Sequence, residues 1–232
     1  MGRIVKKAQE KRKEIFLIAQ DLFFKYGNAN TSVQIIIDEL GISKGAFYHY
    51  FNSKIELLDC ISDLLTSDII SKIKPIVNNT DLNAIEKLNK LYTVTSNYKT
   101  QNLDIIYTIT KALFKKENLF LRHNLNNKLI EKTIPLMTRI FQQGIDEAVF
   151  KIDTPMVMTR IILLFGISRA EHNAKLLLQN KDDPDSLEDL SEYLALYQLS
   201  VERMLGAPED SIQAFDKNFI NNVKQKLNDL HV

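Results

Sequence analysis

Residues 31–58 read TSVQIIIDELGISKGAFYHYFNSKIELL. Apolar side chains recur at helical spacing over residues 33–40, which predicts a short amphipathic helix. A hydroxyl at Thr31 or Ser32 can cap this helix by accepting a hydrogen bond from a free backbone N–H. Gly41 follows the last apolar residue and can end the helix, because glycine adopts the left-handed conformation at little cost.

A second short helix is predicted over residues 44–50, with Ser43 as its cap. Phe47 and Phe51 stand four residues apart, so both can face the core. The other side combines a cation, polar aromatic rings and small residues: Lys44, Gly45, Ala46, Tyr48 and His49. Such a face suits a DNA groove, because the cation and hydroxyl can reach phosphates and small residues allow close approach. Helix, glycine turn and helix together form the helix-turn-helix pattern.

The combination GxSKGxxYxYFxxKxxL, which begins at Gly41, resembles the DNA-binding signature of the tetracycline-repressor-like (TetR) transcriptional regulators. The resemblance covers roughly residues 10–60. It implies an all-helical homodimer with an N-terminal DNA-binding domain and a larger C-terminal domain for effector binding and dimerisation. Many members carry a hydroxyl residue at the position of Ala46, so base contact there is expected to be apolar. The implied DNA-binding residues are Thr31, Ser43, Lys44, Gly45, Ala46, Tyr48, His49, Tyr50 and Lys54.

Lys54 lies in the first turn of the next predicted helix. Ser53 and Glu56 have the spacing of a capping box at its start. A cation in this first turn is unfavourable for the helix dipole, which indicates another use for the side chain. The resemblance implies that Lys54 contacts a DNA phosphate.

Two other interpretations fit part of this stretch. A helical hairpin inside a bundle accounts for the apolar positions, but it gives no reason for Tyr48 and His49 on the outer face. Residues 41–45 also match G-x-S-x-G, the nucleophile-elbow pattern of hydrolases, which requires a strand before it. The preceding residues show no strand-like alternation, and no catalytic constellation occurs elsewhere. The protein is therefore not expected to be an enzyme.

Composition places the 232-residue chain among ordinary globular proteins, with 45% hydrophobic and 25% charged residues. The net charge is only +1, but residues 1–55 hold nine Lys/Arg against five Asp/Glu, so the basic character gathers at the helix-turn-helix end. Cys60 is the single cysteine, which fits a reducing cytoplasm. No apolar run has the length of a membrane span. The scattered histidines predict no metal site, and no cofactor is expected.

The predicted fold class is all-α, with three parts in chain order. Residues 1–52 form the helix-turn-helix domain, residues 53–74 a connecting helix halted by Pro75, and residues 75–232 an effector-binding and dimerisation domain. Proline at position 135 is expected to kink or interrupt its helix. Within the C-terminal domain, helices are predicted at about 82–100, 102–116, 119–143, 155–179, 186–205 and 208–230.

The helices at 155–179 and 186–205 are apolar over wide arcs. The resemblance implies that they form a four-helix bundle across a dimer axis. Burial within one monomer is the alternative. The residues predicted to line the dimer interface are Ile161, Phe165, Ser168, Leu190, Leu194, Tyr197 and Val201.

An effector pocket is expected in the C-terminal domain, although aromatic residues at helical spacing also fit a plain core. The candidate walls are Tyr92, Tyr98, Tyr107, Phe114 and Phe141. Two classes of function remain. One is a ligand-responsive repressor, released from a palindromic double-stranded DNA operator by a small apolar effector. The other is a helical protein-interaction adaptor or a constitutive regulator without ligand; an adaptor would have no use for Tyr48, His49 and Lys54.

Overall fold

The computed structural model describes residues 2–28, 30–101, 109–179 and 186–215, and these form helices joined by turns without a strand. Residues 109–113 are the described part of one further helix, followed by a 3₁₀ turn at Lys116–Asn118. The predicted all-α class is confirmed. Within the described residues, no helix combines the length and apolarity needed to cross a membrane. The other helices are α1 Gly2–Tyr26, α2 Val33–Leu40, α3 Lys44–Tyr50, α4 Lys54–Asn78, α5 Ala84–Gln101, α6 Leu119–Asp146, α7 Pro155–Gln179 and α8 Ser186–Leu205.

The chain divides into two compact units. The first consists of Met1–Ser67 with Thr108–Lys128, and the second of Asp68–Tyr107 with Leu129–Val232. The predicted domains followed each other in chain order. The two units do not, because the segment Thr108–Lys128, which includes the start of α6, packs with the N-terminal residues. Helices α4 and α6 each contribute residues to both units.

The core of the first unit explains why residues from the middle of the chain belong to it. Phe47 and Phe51, predicted to face inward, are 0% and 1% exposed. They share one apolar cluster with Phe23 of α1 and with Leu113 and Leu121 from the later segment. Burial of these side chains therefore unites α1–α3, the start of α4 and the start of α6.

Pro75 does not act as predicted, because helix α4 does not stop before it but continues to Asn78. Pro135 lies inside α6 without interrupting it, and a kink there stays a prediction. Both prolines are exposed, while the neighbours Ile76 and Val77 are buried in the core of the second unit. Burying these two side chains outweighs the hydrogen bond that the proline ring removes.

The segment after α8 is another correction. Residues 208–230 were predicted to form a helix, yet the described part, 208–215, is not helical. The buried carboxylate of Glu202 accepts hydrogen bonds from the backbone N–H groups of Ser211 and Ile212, at 2.7 and 3.1 Å. Ile212 is fully buried in the core of the second unit. The Glu202 carboxylate thus pairs with backbone N–H groups that a helix would have paired with its own carbonyls. Residues 216–230 of the predicted helix lie outside the described residues.

Candidate nucleic-acid interface

The helix-turn-helix is held by the local signals that the sequence predicts. Ser32, rather than Thr31, caps α2, with its hydroxyl accepting the N–H of Ile35 at 3.2 Å. Gly41 ends α2 in the left-handed conformation, with φ 60°. Ser43 caps α3 by accepting the N–H of Ala46 at 3.1 Å. The turn geometry therefore follows from residues within the turn itself.

One face of α3 is open to solvent. Lys44, Gly45, Tyr48 and His49 are exposed, and Ala46 and Tyr50 are half-exposed. This face carries an ammonium group, an imidazole and a phenol around two residues with little or no side chain. Such groups can donate hydrogen bonds to phosphates and base edges, and the small residues permit a helix to approach the floor of a groove.

Arg12 braces the end of α3 from α1. Its guanidinium donates to the Tyr50 carbonyl at 3.3 Å and to the Glu56 carboxylate at 2.8 Å, and it lies 4.4 Å from the centre of the Phe51 ring. Glu56 also accepts the backbone N–H of Asn52 at 2.8 Å. This backbone hydrogen bond, with Arg12 assisting, lowers the pKa of Glu56. The capping carboxylate thus secures the loop between α3 and α4.

Thr31 does not belong to the exposed surface, and its predicted DNA contact is wrong. The residue is fully buried, and its hydroxyl donates to the carbonyls of Leu22 and Gly27, at 3.2 and 2.9 Å. Its function is to close the end of α1 against the start of α2. The sequence carries no clear signal for this role, because the partner carbonyls lie in α1 and in the turn after it.

Lys54 also contacts the protein itself. Its ammonium donates to the carbonyls of Asn28 and Thr31, at 2.6 and 3.1 Å. Partial burial lowers the pKa of Lys54. An ammonium has three N–H donors, so one remains for another acceptor such as a phosphate. The unfavourable position in the first turn of α4 is explained by these carbonyls, which lie more than twenty residues earlier in the chain.

We expect Lys54→Met to lower the stability of the first unit by about 1–2 kcal/mol, because two carbonyls lose a charged donor. If the third donor contacts a phosphate, binding to all DNA sequences weakens and the salt slope falls by about one unit. Thermal unfolding and fluorescence anisotropy at several salt concentrations measure the two effects. Lys74→Met, at an exposed position of the same helix, is the control. An unchanged salt slope would leave Lys54 with a structural role alone.

A second set of contacts closes the C-terminal end of α1. The Asn118 side chain accepts the N–H of Asn28 at 2.5 Å and donates to the carbonyls of Phe23 and Ala112, at 3.2 and 2.8 Å. Lys115 donates to the Lys25 carbonyl at 2.7 Å. Apart from the contact with Ala112, these hydrogen bonds join residues about ninety positions apart, so no local sequence pattern predicts them. The 3₁₀ turn therefore positions the helix that supports α2 and α3.

The predicted dimer residues fall on different faces. Leu194, Tyr197 and Val201 are at most 4% exposed and belong to the core of the second unit, so their assignment to a dimer interface is wrong. Phe165 is partly buried and stacks on Tyr197. Ile161 and Ser168 are exposed on α7, and the Leu190 side chain lies outside the described set.

A different set of apolar side chains is exposed on α7 and α8. We call this set the α7/α8 apolar face, and its members are 36–61% exposed. Sequence spacing could not identify it, because both sides of each helix carry apolar residues. It comprises Val157, Ile161 and Leu164 of α7 with Leu196 and Leu199 of α8, flanked by Met156.

The structure describes three of the five predicted pocket walls: Phe141 and Tyr92 belong with the core of the second unit, and Phe114 belongs to the first. Phe141 is fully buried and packs edge-to-face on Phe150, as expected for a plain core residue. Phe114 belongs to the first unit, under the guanidinium of Arg122. Tyr92 packs against the core of the second unit. The Tyr98 side chain and all of Tyr107 lie outside the described residues.

The sequence is similar to known proteins mainly in the region of the helix-turn-helix. Residues 17–61 match the family described as "Bacterial regulatory proteins, tetR family". The chain is 38% identical over 63 residues to the HTH-type transcriptional regulator TtgR of Pseudomonas putida, covering 27% of this chain and 30% of TtgR. It is 30% identical over 92 residues to the HTH-type transcriptional repressor KstR2 of Mycobacterium tuberculosis, covering 40% and 46%. The match thus spans less than half the length of either relative.

Comparison with solved structures covers more of the chain. A TetR-family transcriptional regulator from Pectobacterium atrosepticum superimposes with a TM-score of 0.59 over 88% of this chain and 98% of its own, at 16% identity. Identity this low shows a shared fold alone. The sequence match is confined to the N-terminal region and the fold match covers most of the chain: residues 17–61 are similar to the tetR family of bacterial regulatory proteins, and the chain shares the fold of a TetR-family regulator.

Proposed function

We propose that this protein is a DNA-binding transcriptional regulator, most simply a repressor that occupies a near-palindromic operator as a homodimer in the cytoplasm. The observation that carries the proposal is the exposed face of α3, on a helix that is capped at one end and braced by Arg12 at the other. The names of the relatives support it, since TtgR is called a transcriptional regulator and KstR2 a repressor.

The dimensions of α3 suit a major groove. An α-helix with its side chains is about 10–12 Å across, which fits a groove about 12 Å wide, and the seven residues of α3 extend about 10 Å along it. The exposed side chains of Lys44 and Tyr48 can donate to phosphates, and His49 can donate to a base edge. Ala46 presents only a methyl group, which can contact the methyl of a thymine.

A second copy of the chain is the proposed occupant of the α7/α8 apolar face. Both helices carry exposed apolar side chains at helical spacing, and an exposed apolar surface of this kind is typical of interfaces between protein molecules. Two-fold symmetry would place one α3 from each copy on the operator, with half-sites about one helical turn, or about 35 Å, apart.

The decisive experiment is Lys44→Glu. Each subunit would lose a charge-assisted contact and gain repulsion from phosphate, so we expect operator affinity to fall about 100-fold or more. Fluorescence anisotropy with duplex DNA from upstream of the protein's own gene measures this. Lys151→Glu, the same charge change at an exposed site in the second unit, should have little effect. Equal affinity of wild type and Lys44→Glu would instead favour a helical protein-interaction adaptor.

We further propose that a small molecule bound by the second unit releases the operator. The support is the continuity of α4 and α6, each of which has residues in both units. Effectors typically couple to a second site by about 1–3 kcal/mol, or about 5- to 150-fold in DNA affinity. Native mass spectrometry of protein purified from cells tests for a bound compound. If no compound co-purifies and none alters operator binding, the protein is a constitutive regulator.

A further inference from the structure

An arginine lies against the aromatic residues of the second unit. The guanidinium of Arg169 on α7 is 4.5 Å from the centre of the Tyr197 ring on α8. Phe165, one turn earlier on α7, stacks on the same tyrosine with ring centres 4.9 Å apart. A Cβ at Gly166 would come within 3.2 Å of the Tyr197 hydroxyl, so α7 approaches that hydroxyl closely.

Two polar atoms here have no partner among the described residues. The Nε of Arg169 and the Oδ1 of Asn173 are shielded from solvent, and neither has a hydrogen-bond partner. The two residues are four apart in one helix, so their side chains lie on the same side. No described carboxylate forms an ion pair with the half-buried Arg169, and the Tyr197 ring only partly compensates its shielded Nε–H. A shielded unpaired donor and, one turn later, a shielded unpaired acceptor are costly unless a molecule supplies the matching groups.

The neighbouring phenols add donors. Burial raises the pKa of Tyr92 well above its usual value, and the Tyr197 hydroxyl beside it raises it further, while Arg169 acts in the opposite direction. Tyr92 therefore keeps its proton at physiological pH. An anion bound near Arg169 would find the neutral phenol of Tyr92 and aromatic ring surfaces.

We propose that the effector is an apolar hydroxycarboxylic acid whose carboxylate accepts from the Arg169 Nε–H and whose hydroxyl donates to Asn173 Oδ1. This assignment rests on the proposed function as a ligand-responsive regulator and specifies the chemical class of the ligand. The carboxylate matches the unpaired Nε–H of Arg169, and the hydroxyl matches the unpaired acceptor of Asn173. The remaining body is apolar because the surrounding side chains, Phe165, Tyr197 and Tyr92, are aromatic.

Isothermal titration calorimetry on the full chain tests the ligand class with two matched sets of probes. The flat set is 2-hydroxybenzoate, benzoate and 2-hydroxybenzamide; the extended set is 3-hydroxydecanoate, decanoate and 3-hydroxydecanamide. Within at least one set, we expect the hydroxy acid to bind best, the plain acid less well and the neutral amide least. The set whose hydroxy acid binds shows whether the apolar part of the ligand is a flat ring or an extended chain. Amides binding as tightly as acids, or no acid binding at millimolar concentration, overturns the proposal.

Two variants test the residues. Arg169→Gln should weaken binding of the hydroxy acid about 10- to 100-fold, the usual effect of losing a charge-assisted hydrogen bond. Arg160→Gln, at an exposed site on the same helix, should bind like wild type. Asn173→Asp places a carboxylate four residues from Arg169, so it should raise the unfolding temperature of the ligand-free protein and abolish acid binding.

The results separate this inference from the regulator function. Operator binding in anisotropy without any acid binding would leave the regulator standing and reject the ligand class. Acid binding that Arg169→Gln leaves unchanged would reject the site. If Arg169→Gln instead dissociates a dimer in light scattering, the unpaired guanidinium belongs to the interface between subunits and the proposal is wrong.

Discussion

Replacing Leu164 and Leu196 together by aspartate should dissociate the homodimer and lower operator affinity by at least about 1,000-fold. The two side chains are 52% and 54% exposed in the single chain, so the substitution leaves its core intact. In a dimer they would be buried, and each unpaired carboxylate there is strongly unfavourable. A monomer would contact one half-site and lose the contribution of the second α3.

Light scattering at micromolar concentration and anisotropy with the operator duplex measure the two consequences. Leu119→Asp, at a 60% exposed leucine of the first unit, is the matched control and should remain dimeric. Leu194→Asp makes a useful contrast, because that side chain is buried in the chain's own core and its variant should misfold. A double variant that stays dimeric would remove the α7/α8 apolar face from the interface.

Asn118→Ala should destabilise the first unit by about 3–5 kcal/mol, a large effect for one substitution. The fully buried amide satisfies one backbone N–H and two backbone carbonyls, from Asn28, Phe23 and Ala112. Alanine leaves all three without their partner, and each unsatisfied buried group costs about 1–3 kcal/mol. The end of α1 should loosen, and α2 and α3 with it.

Urea unfolding followed by far-ultraviolet circular dichroism gives the change in stability, and hydrogen exchange at the C-terminal end of α1 locates it. Asn127→Ala changes the same residue type at an exposed site of α6 and should alter the free energy of unfolding by less than about 0.5 kcal/mol. Equal stability of the two variants would contradict the assignment of Asn118 as the residue that secures α1.

Much of the candidate interface could be predicted from the sequence because its determinants are local. Ser43 caps the helix that starts one residue later, and Gly41 supplies the left-handed turn within the same segment. The four-residue spacing of Phe47 and Phe51 selects the buried side of α3, which in turn exposes Tyr48 and His49. Each of these relations spans five residues or fewer.

The errors arose where a residue's partner is distant in sequence. Pro75 is a local helix breaker, yet α4 continues because Ile76 and Val77 are buried against another part of the chain. Leu194 and Val201 share α8 with Leu196 and Leu199, and all four are apolar, so hydrophobicity could not distinguish the core face from the exposed one.

The sequence by itself determined the all-helical class, the helix-turn-helix and the exposed side of α3, since caps, glycine turns and apolar spacing act within a few residues. Only the tertiary structure decided that Thr31 is buried and that Lys54 donates to carbonyls of the turn after α1. It likewise revealed the unpaired atoms of Arg169 and Asn173. Burial and hydrogen-bond pairing depend on which segments are in contact in the folded chain, and local sequence patterns do not specify those contacts.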